Sequence, residues 1–390
     1  MEAHLYLSAW FVAALALLLL MLGSQTAGAA ESHGQYFVYV GTRESGKTGI
    51  YVYRFHEDSG KITPLGLAAE TASPFSLVAS RNGRYLYVAN IIEQFEGKAS
   101  GSVTVFAIDR QTGKLALLNQ VATRGTEPAY VSMDRTERFV LVANYGSGSL
   151  AVLPVRKDGG LGEVTAFVQH TGSSVDPKRQ EGPHPHSFDV SPDNRFALAA
   201  DLGVDKLFVY RFNSTTGLFS PAESPYVTVK PGSGPRHIDF SPNGRFVYLL
   251  CEMASTITVY SYNAASGALH DLQVVSALPK GFTGGNWAAE IKVASSGRFL
   301  YASNRGNDTI AVFAISPQKG TLTPIAYVPT QGKEPWMFAI DPDGSYLVAP
   351  NKDSDNIVVF RVHQKSGRLT PTGQVLNLHG PICVGFVAVH

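Results

Sequence analysis

Residues 234–252 have the sequence GPRHIDFSPNGRFVYLLCE. Two runs rich in β-branched and aromatic residues flank the turn S-P-N-G at 241–244, a pattern typical of a β-hairpin. In such a hairpin the start of the first strand lies beside the end of the second. We therefore expect Arg236 and Glu252, although distant in sequence, to lie at one rim of the sheet.

The turn and second strand of this hairpin recur along the chain. The copies are RNGRYLYVAN (81–90), RTERFVLVAN (135–144), SPDNRFALAAD (191–201), SPNGRFVYLLC (241–251), SSGRFLYASN (295–304) and DPDGSYLVAPN (341–351). Successive copies are 47 to 57 residues apart, and a third apolar strand, a glycine turn and a short outer strand follow them. Four strands in about 50 residues predict one blade of a β-propeller.

A seventh blade is divided between the two ends of the chain. The segments YFVYVGT (36–42) and IYVYRF (50–55) supply two of its strands, and Pro381–Phe386 is predicted to supply the missing inner strand. Joining both ends in one blade closes the ring and leaves no free edge. The sequence thus predicts an all-β fold, a seven-bladed β-propeller with four antiparallel strands per blade, formed as a single domain by residues 31–390.

The first 30 residues are interpreted as an export signal. Ala9–Leu22 is an uninterrupted apolar run of 14 residues, too short for a typical membrane span and suited to a signal peptide. Ala27-Gly28-Ala29 supplies a small-residue cleavage pattern. The segment before the run has no Lys or Arg, so an uncleaved anchor is the alternative. We expect a periplasmic or secreted protein with no membrane span after cleavage.

Composition excludes several function classes. The net charge is +1 and only 16% of the residues are charged, which does not favour a nucleic-acid-binding protein. The two cysteines, Cys251 and Cys383, cannot build a thiolate zinc site. They are interpreted as buried reduced thiols, with one disulfide as the alternative. Nothing in the sequence indicates the oligomeric state.

The candidate site lies where the repeat is broken. At the start of the inner strand, the six equivalent residues are Phe75, Ala129, His186, Arg236, Ala289 and Trp336. At the end of the second strand they are Ile91, Tyr145, Leu202, Glu252, Arg305 and Lys352. Equivalent positions share one environment, so His186, Arg236, Glu252 and Arg305 are predicted to converge at one mouth of the channel. A carboxylate, an imidazole and two guanidiniums can bind an anion and move a proton.

Four further residues are weaker candidates for substrate binding. His184 and His237 flank the same rim, Glu290 follows a rim position, and Lys352 occupies one. Each is also consistent with a structural or solvated role. The longest insertions, Ile91–Gly101 and His170–Gly182, connect at this rim and are predicted to cover the channel mouth. Rim charges of this kind are expected to be partly solvated and to contribute only ~0–1 kcal/mol to stability.

The strand ends YVAN and YASN and the segments GPRH, WAAEI and EPWMF resemble the lactonase seven-bladed β-propeller family, over about residues 35–390. That family includes propeller-type 6-phosphogluconolactonases and is similar to the carboxy-cis,cis-muconate lactonising enzyme. The resemblance implies a site made of His186, Arg236, Glu252 and Arg305. It also implies hydrolysis of an anionic sugar lactone without a metal or another cofactor. His186 or Glu252 would be the base, and the two arginines would bind the anionic group and the carbonyl oxygen.

Three alternatives remain open at this point. The chain could be a non-enzymatic surface or scaffold propeller with YVTN-like repeats, although such a protein should have a uniform rim. It could be a carboxymuconate-type cycloisomerase. A metal-dependent gluconolactonase-type propeller would need a cluster of Glu, Asn and Asp ligands, whereas the Asn and Asp residues here recur once per blade. Export would also separate the protein from a cytoplasmic phosphorylated substrate.

Overall fold

The computed structural model describes residues 34–43 and 48–389. These residues form thirty β-strands and one 3-10 turn, Lys352–Ser354, and contain no α-helix. The predicted export signal at residues 1–30 lies outside the described residues. No helix suited by length and hydropathy to cross a membrane is found in the part of the chain that is described.

Twenty-eight of the strands form seven four-stranded antiparallel sheets, which we number as blades 1 to 7. In chain order the strands are β1 (Gln35–Thr42), β2 (Gly49–His56), β3 (Lys61–Glu70), β4 (Pro74–Ala79), β5 (Tyr85–Asn90), β6 (Gln94–Phe95), β7 (Lys98–Ala99), β8 (Ser102–Ile108), β9 (Leu115–Ala122), β10 (Pro128–Met133), β11 (Phe139–Asn144), β12 (Ser149–Pro154), β13 (Ala166–Gln169), β14 (Pro185–Val190), β15 (Phe196–Asp201), β16 (Lys206–Phe212), β17 (Phe219–Thr228), β18 (Pro235–Phe240), β19 (Phe246–Cys251), β20 (Thr256–Tyr262), β21 (Leu269–Ser276), β22 (Trp287–Val293), β23 (Phe299–Arg305), β24 (Thr309–Ile315), β25 (Leu322–Pro329), β26 (Ala339–Ile340), β27 (Tyr346–Asn351), β28 (Asn356–Val362), β29 (Leu369–Asn377) and β30 (Pro381–Val389).

Each blade runs from an inner to an outer strand, and the seven-bladed prediction is confirmed. From the inside outward, blade 1 has the order β30-β1-β2-β3 and blade 2 has the order β4-β5-β8-β9. Blades 3 to 7 each use four consecutive strands, beginning with β10, β14, β18, β22 and β26. The remaining two strands, β6 and β7, form a small separate ribbon inside the first predicted insertion.

The two ends of the chain close the ring as predicted. Strand β30 pairs antiparallel with β1, from Thr42 opposite Pro381 to Gln35 opposite Val389. The pairing therefore extends three residues past the predicted end at Phe386. It removes the free edge that the first and last blades would otherwise present.

Neighbouring blades are joined by a repeated contact between a tyrosine and a turn glycine. The Tyr39 hydroxyl donates a hydrogen bond of 2.9 Å to the Gly113 carbonyl of the next blade. Gly113 has a φ of 74°, and a Cβ there would lie 2.9 Å from the Phe37 ring, so the position requires glycine. Equivalent bonds join Tyr87 to Gly159, Tyr248 to Gly320 and Tyr301 to Gly367. Both cysteines are buried and unpaired, as predicted.

The start of the inner strand contains a β-bulge in several blades. In blade 5, Pro235 pairs with Cys251 and His237 pairs with Leu250, so Arg236 is the extra residue. The equivalent bulged residues are Phe75, Ala129 and His186. Just beyond the bulge, the Glu252 amide donates a 2.7 Å hydrogen bond to the Gly234 carbonyl. A bulge re-aims its side chain, and here it brings the two predicted rim positions together.

Candidate active site

A cavity of about 440 Å³ opens at the rim where the second strands end. Its lining residues are Arg43, Phe75, Ile91, Glu127, Ala129, Tyr145, Arg179, His186, Glu252, Trp287, Arg305, Glu334 and Trp336. Three of the four predicted site residues line it, namely His186, Glu252 and Arg305. The fourth, Arg236, is fully buried and reaches the site through its contact with Glu252.

Glu252 is the centre of the charged cluster. Its Oε2 atom lies 2.8 Å from Nε of Arg236 and 3.0 Å from Nη2 of Arg305. Its Oε1 atom lies 2.7 Å from Nη2 of Arg179. Burial alone would raise the pKa of Glu252, but the three guanidiniums outweigh burial and lower the pKa to about 2. The carboxylate is therefore ionised at neutral pH, and its two oxygen atoms contact three guanidiniums.

Arg236 is held below the cavity by several acceptors. Its Nη1 donates to the Ala289 carbonyl and lies 3.2 Å from Nε2 of His237. Its Nη2 is buried and has no hydrogen-bond partner. Burial and the nearby charge of Arg305 lower the pKa of Arg236 to about 10, against the opposing effect of Glu252. The guanidinium remains protonated and contacts Glu252 from outside the cavity lining.

His186 is surrounded mainly by aromatic rings. Its ring lies 5.4 Å from that of Tyr145, 5.1 Å from that of His237 and 6.3 Å from that of Phe75, between centroids. Burial lowers the pKa of His186 well below its usual value, and the charge of Arg236 lowers it further. The Nδ1 atom is buried without a hydrogen-bond partner. His186 is thus a neutral imidazole at pH 7 with capacity to accept a proton.

His237 and Glu290 lie further along the channel than the cavity. Nδ1 of His237 is 3.0 Å from Oε1 of Glu290, which is also 3.4 Å from Nζ of Lys292. Burial, followed by the charge of Arg236, lowers the pKa of His237 to about 4. Glu290 and Lys292 line a second cavity of about 330 Å³ together with Tyr130 and Asp189. Glu290 therefore lines a different cavity from His186.

His184 and Lys352 do not line the cavity. The His184 ring stacks on Tyr145 with centroids 4.6 Å apart, and its Nδ1 lies 2.9 Å from the Tyr145 carbonyl oxygen. His184 thus supports a cavity wall without facing the cavity. The Lys352 ammonium lies 2.7 Å from Oδ1 of Asp353, the next residue in the chain. Of the weaker candidates, neither is brought together with Glu252.

The expectation that the rim charges are partly solvated is wrong. Arg236 is 0% exposed, Glu252 is 4%, His186 is 5% and Arg305 is 7%. The bulged inner strand turns the side chains into the channel, and the insertion that carries Arg179 adds a further partner. A buried charge that loses its partner costs far more than an exposed one, so the low stability contribution expected from solvated pairs does not apply here.

The main residue that the sequence analysis missed is Arg179. It lies in the predicted covering insertion His170–Gly182, and its guanidinium lies 4.7 Å from the centroid of the Trp287 ring. Its Nη2 also lies 3.3 Å from the Tyr145 hydroxyl oxygen. The location of the insertion at the rim was a signal for such a residue, but loop sequence alone does not indicate which side chain turns inward.

The insertion around Arg179 is anchored by buried polar contacts. Nδ1 of His170 lies 2.6 Å from Oδ2 of Asp201, and its Nε2 lies 2.8 Å from the Tyr210 hydroxyl. The side-chain amide of Gln180 donates a 2.8 Å bond to the Leu202 carbonyl. The loop that carries Arg179 is therefore held to blade 4 by hydrogen bonds near both of its ends.

The cavity combines groups suited to acyl chemistry on a small polar molecule. It offers a neutral imidazole, cavity-facing guanidiniums and aromatic walls from Phe75, Trp287 and Trp336. Within residues 34–43 and 48–389, no group of three or more His, Cys, Asp or Glu side chains is placed to hold a metal ion. The arrangement can hold an oxyanion by hydrogen bonding and can accept a proton from water.

Comparison with known proteins agrees with this architecture. The family described as lactonase, 7-bladed beta-propeller matches residues 37–386. The chain is 36% identical over 309 residues to a protein named 6-phosphogluconolactonase from Bacillus subtilis, covering 79% of this chain and 86% of that one. It is 33% identical over 299 residues to a protein of the same name from Formosa agariphila, covering 76% and 83%.

A solved structure from Pseudomonas aeruginosa, described as a periplasmic gluconolactonase, is also similar. It superposes with a TM-score of 0.85 and 37% sequence identity, over 91% of this chain and 100% of that chain. The seven blades, the charged cluster at the channel mouth and these matches lead to one conclusion. The chain belongs to the seven-bladed β-propeller lactonase family.

Proposed function

We propose that this protein hydrolyses a sugar lactone to the open-chain acid without a metal ion. The observation that carries the proposal is the shared cavity of His186 and Arg305, one a neutral proton acceptor and the other a cationic hydrogen-bond donor. Relatives named 6-phosphogluconolactonase and gluconolactonase support this choice of reaction. The aromatic walls suit the apolar faces of a sugar ring, while the charged groups suit its ester.

In the proposed reaction, His186 removes a proton from water as the water oxygen bonds to the lactone carbonyl carbon. Arg305 donates hydrogen bonds to the carbonyl oxygen, which becomes negatively charged in the tetrahedral intermediate. When the intermediate collapses, the bond between the carbonyl carbon and the ring oxygen breaks. The imidazolium returns its proton to the ring oxygen, which leaves as a hydroxyl group. The product acid then ionises to a carboxylate and releases a proton.

Of the two candidate bases, His186 is assigned the proton transfer. Glu252 has a pKa of about 2 and is surrounded by three guanidiniums, so it is a weak proton acceptor at neutral pH. The pKa of His186 is lowered as well, but among the described residues His186 has no ion-pair partner that a proton would displace, and its Nδ1 accepts no hydrogen bond. Glu252 instead orients Arg305 through its carboxylate. The resemblance implies that Arg236 binds the substrate. Because Arg236 is fully buried and does not line the cavity, its proposed role is instead to position Glu252.

The proposed substrate carries an anionic group that binds near Arg43. The cavity lining contains three arginines and three glutamates, but Glu252 engages Arg179 and Arg305. The Arg43 side chain forms no ion pair with another described residue and lies 5.5 Å from the Phe75 centroid. It is therefore the cavity cation with the most capacity left for a phosphate or a carboxylate.

Residues 1–30 are proposed to direct export to the periplasm or the exterior. The 14-residue apolar run and the Ala27-Gly28-Ala29 pattern support this proposal. Intact-mass measurement of the protein from a periplasmic fraction should give a chain that begins near Ala30 or Glu31. A full-length soluble protein in the cytoplasm would contradict export, and a full-length protein in the membrane fraction would favour the anchor.

The reaction is tested with a panel of lactones assayed by acid release. The panel contains 6-phosphogluconolactone, gluconolactone and a carboxylated lactone, each with and without a chelator. Hydrolysis that continues in the chelator, and that is lost in His186→Asn, is the expected result. No hydrolysis of any member would overturn the proposal, and loss of activity in the chelator would overturn metal independence. A preference for the neutral lactone would overturn the role of Arg43.

A further inference from the structure

We propose that Arg179 is a catalytic residue, which binds the substrate carbonyl oxygen together with Arg305 and stabilises its negative charge. This inference rests on the proposed lactone hydrolysis. Arg179 belongs to an insertion and not to the blade repeat, so the site would be completed by a loop. The expected role of Arg236 toward substrate would then be carried by Arg179.

Only two of the three guanidiniums that contact Glu252 belong to residues that line the cavity. Three arginines contact Glu252, but only Arg179 and Arg305 line the cavity, while Arg236 is fully buried. Arg236 is thus shielded from a substrate in the cavity. A second cationic donor to the carbonyl oxygen must come from the cavity wall, and Arg179 is the member of the Glu252 cluster that meets this condition.

Arg179 has side-chain hydrogen-bond donors that no described residue engages. Both of its hydrogen bonds, to Glu252 and to the Tyr145 hydroxyl, use the Nη2 nitrogen. Its Nη1 and Nε groups make no hydrogen bond to any other described residue, and neither is buried without a partner. Its side chain is 29% exposed, compared with 8% for Arg305. Arg179 thus combines a partly exposed side chain that lines the cavity with two nitrogens that no described residue engages.

The Arg179 side chain is preorganised. One end of the guanidinium contacts Glu252, its Cζ lies 4.7 Å from the centroid of the Trp287 ring, and the backbone amide of Arg179 donates a 3.1 Å hydrogen bond to Oδ1 of Asp176. The loop itself is tied down by His170 and Gln180. A donor that is already held in place needs no reorganisation when charge develops, which is the condition for effective oxyanion stabilisation.

The local charge around Glu252 also favours this role. Three guanidiniums and one carboxylate give this mostly buried cluster a net charge of +2 (3 − 1), and Glu127 and Glu334, which also line the cavity, form no ion pair with these guanidiniums. Such an excess of positive charge stabilises an oxyanion more than a neutral carbonyl. The interaction therefore strengthens as the tetrahedral intermediate forms, so it should lower the barrier and not merely tighten binding.

The test compares Arg179→Met with Lys178→Met. Both variants remove one positive charge from the same loop, but Lys178 is exposed and does not line the cavity. Arg179→Met should lower kcat by about 10²- to 10³-fold, the cost of one oxyanion donor, with a smaller change in KM. Lys178→Met should leave kcat within about twofold of the wild type, because its charge is solvated.

Two further measurements separate a catalytic role from a structural one. Added guanidinium at millimolar concentration should restore part of kcat in Arg179→Met and none in Glu252→Gln. The double variant Arg179→Met, Glu252→Gln should also be slower than Glu252→Gln alone. If Arg179 acts only by neutralising Glu252, the double variant will match the single one and guanidinium will have no effect, which overturns the inference.

The inference can still be tested if Arg179→Met fails to fold. In that case Arg179→Lys is used, because it keeps the charge and loses the planar fork. Its kcat should be about tenfold below that of the wild type. An Arg179→Lys enzyme with full kcat would overturn the inference. A wild-type protein that hydrolyses no lactone would overturn the proposed function itself. An active wild type with an equally active Arg179→Met would overturn only the role of Arg179.

Discussion

The same backbone bulge carries apolar residues on one side of the propeller and polar or charged residues on the other. In blades 2 and 3 the bulged residue is Phe75 or Ala129, and both pack into an apolar cluster with Met337, Ile382 and Cys383. In blades 4 and 5 it is His186 or Arg236, next to the Glu252 cluster. One structural device therefore builds an apolar wall on one side of the channel and an ionised site on the other.

The difference shows how a repeat protein obtains a single site. The bulge places a side chain at the mouth in each of these blades, but only two consecutive blades carry groups that can ionise. His186 is neutral, whereas the buried charge of Arg236 is compensated by Glu252 of the same blade, which also contacts Arg305 of the next blade and Arg179 of the insertion. Chemistry and packing are thus separated between two halves of one ring, and the following predictions test that separation.

The largest effect is expected at the proposed base. His186→Asn should lower kcat by about 10²- to 10⁴-fold, since a lost general base costs that much. Lactone hydrolysis at saturating substrate measures the effect. Phe75→Leu, at the equivalent bulge on the apolar side, should change KM more than kcat.

His270→Asn provides the matched control, because His270 is exposed on outer strand β21 and is not part of the cavity lining. It should leave kcat within about twofold of the wild type. If Phe75→Leu lowers kcat as much as His186→Asn does, the two halves are not separated as described.

The next effect concerns stability. Arg236→Met should lower the free energy of unfolding by about 1–3 kcal/mol, because it removes the donor to the buried Ala289 carbonyl, while Glu252 keeps Arg179 and Arg305 as partners. Urea denaturation followed by tryptophan fluorescence measures the change. Arg245→Met removes an exposed arginine from the same hairpin and should cost less than about 1 kcal/mol. Equal losses in the two variants would show that burial of the cluster is energetically unimportant.

A third prediction follows from the ionisation of Glu252. Its folded pKa of about 2 lies below the usual value of 4.5, so its stabilising contribution is complete above about pH 4.5 and is lost as pH falls through about 2. The contribution is on the order of 3 kcal/mol. Glu252→Gln should therefore have a shallower loss of unfolding free energy between pH 5 and pH 2.

Glu223→Gln, on the exposed outer strand β17, should keep the wild-type slope. The comparison uses slopes and not absolute stabilities, because Glu252→Gln also leaves three arginines without a carboxylate at neutral pH. A wild-type slope in Glu252→Gln would show that the carboxylate is not the group that titrates.

The smallest effect is expected at Lys352. It occupies the rim position equivalent to that of Arg305, but its ammonium pairs with Asp353 and it does not line the cavity. Lys352→Met should change KM by no more than about threefold, the scale of an exposed ion pair. Arg305→Met should lower kcat by about 10²-fold or more. A larger effect at Lys352 would place it in the substrate site after all.

The repeat made most of this fold predictable. A hairpin with a polar turn recurs at nearly constant spacing, and each copy needs the same neighbours, so blade count and ring closure follow from counting strands. The four principal site residues were predicted because a polar or charged residue at a position that is mostly apolar in the other blades needs its own reason. The proline before Phe75, Ala129, His186 and Arg236 was a further signal of the shared bulge.

The sequence by itself determined the periodic features, namely the blades, the closing strand and the equivalence of the rim positions. These features follow from hydrogen-bond pairing and side-chain alternation, which repeat along the chain. Only the tertiary structure decided that Arg236 is buried beneath Glu252, that Lys352 turns to Asp353, and that Arg179 enters the cavity. These outcomes depend on which side chains meet across blades and on how one insertion is tied down. Burial and charge pairing arise between distant segments, so they are set by the assembled ring.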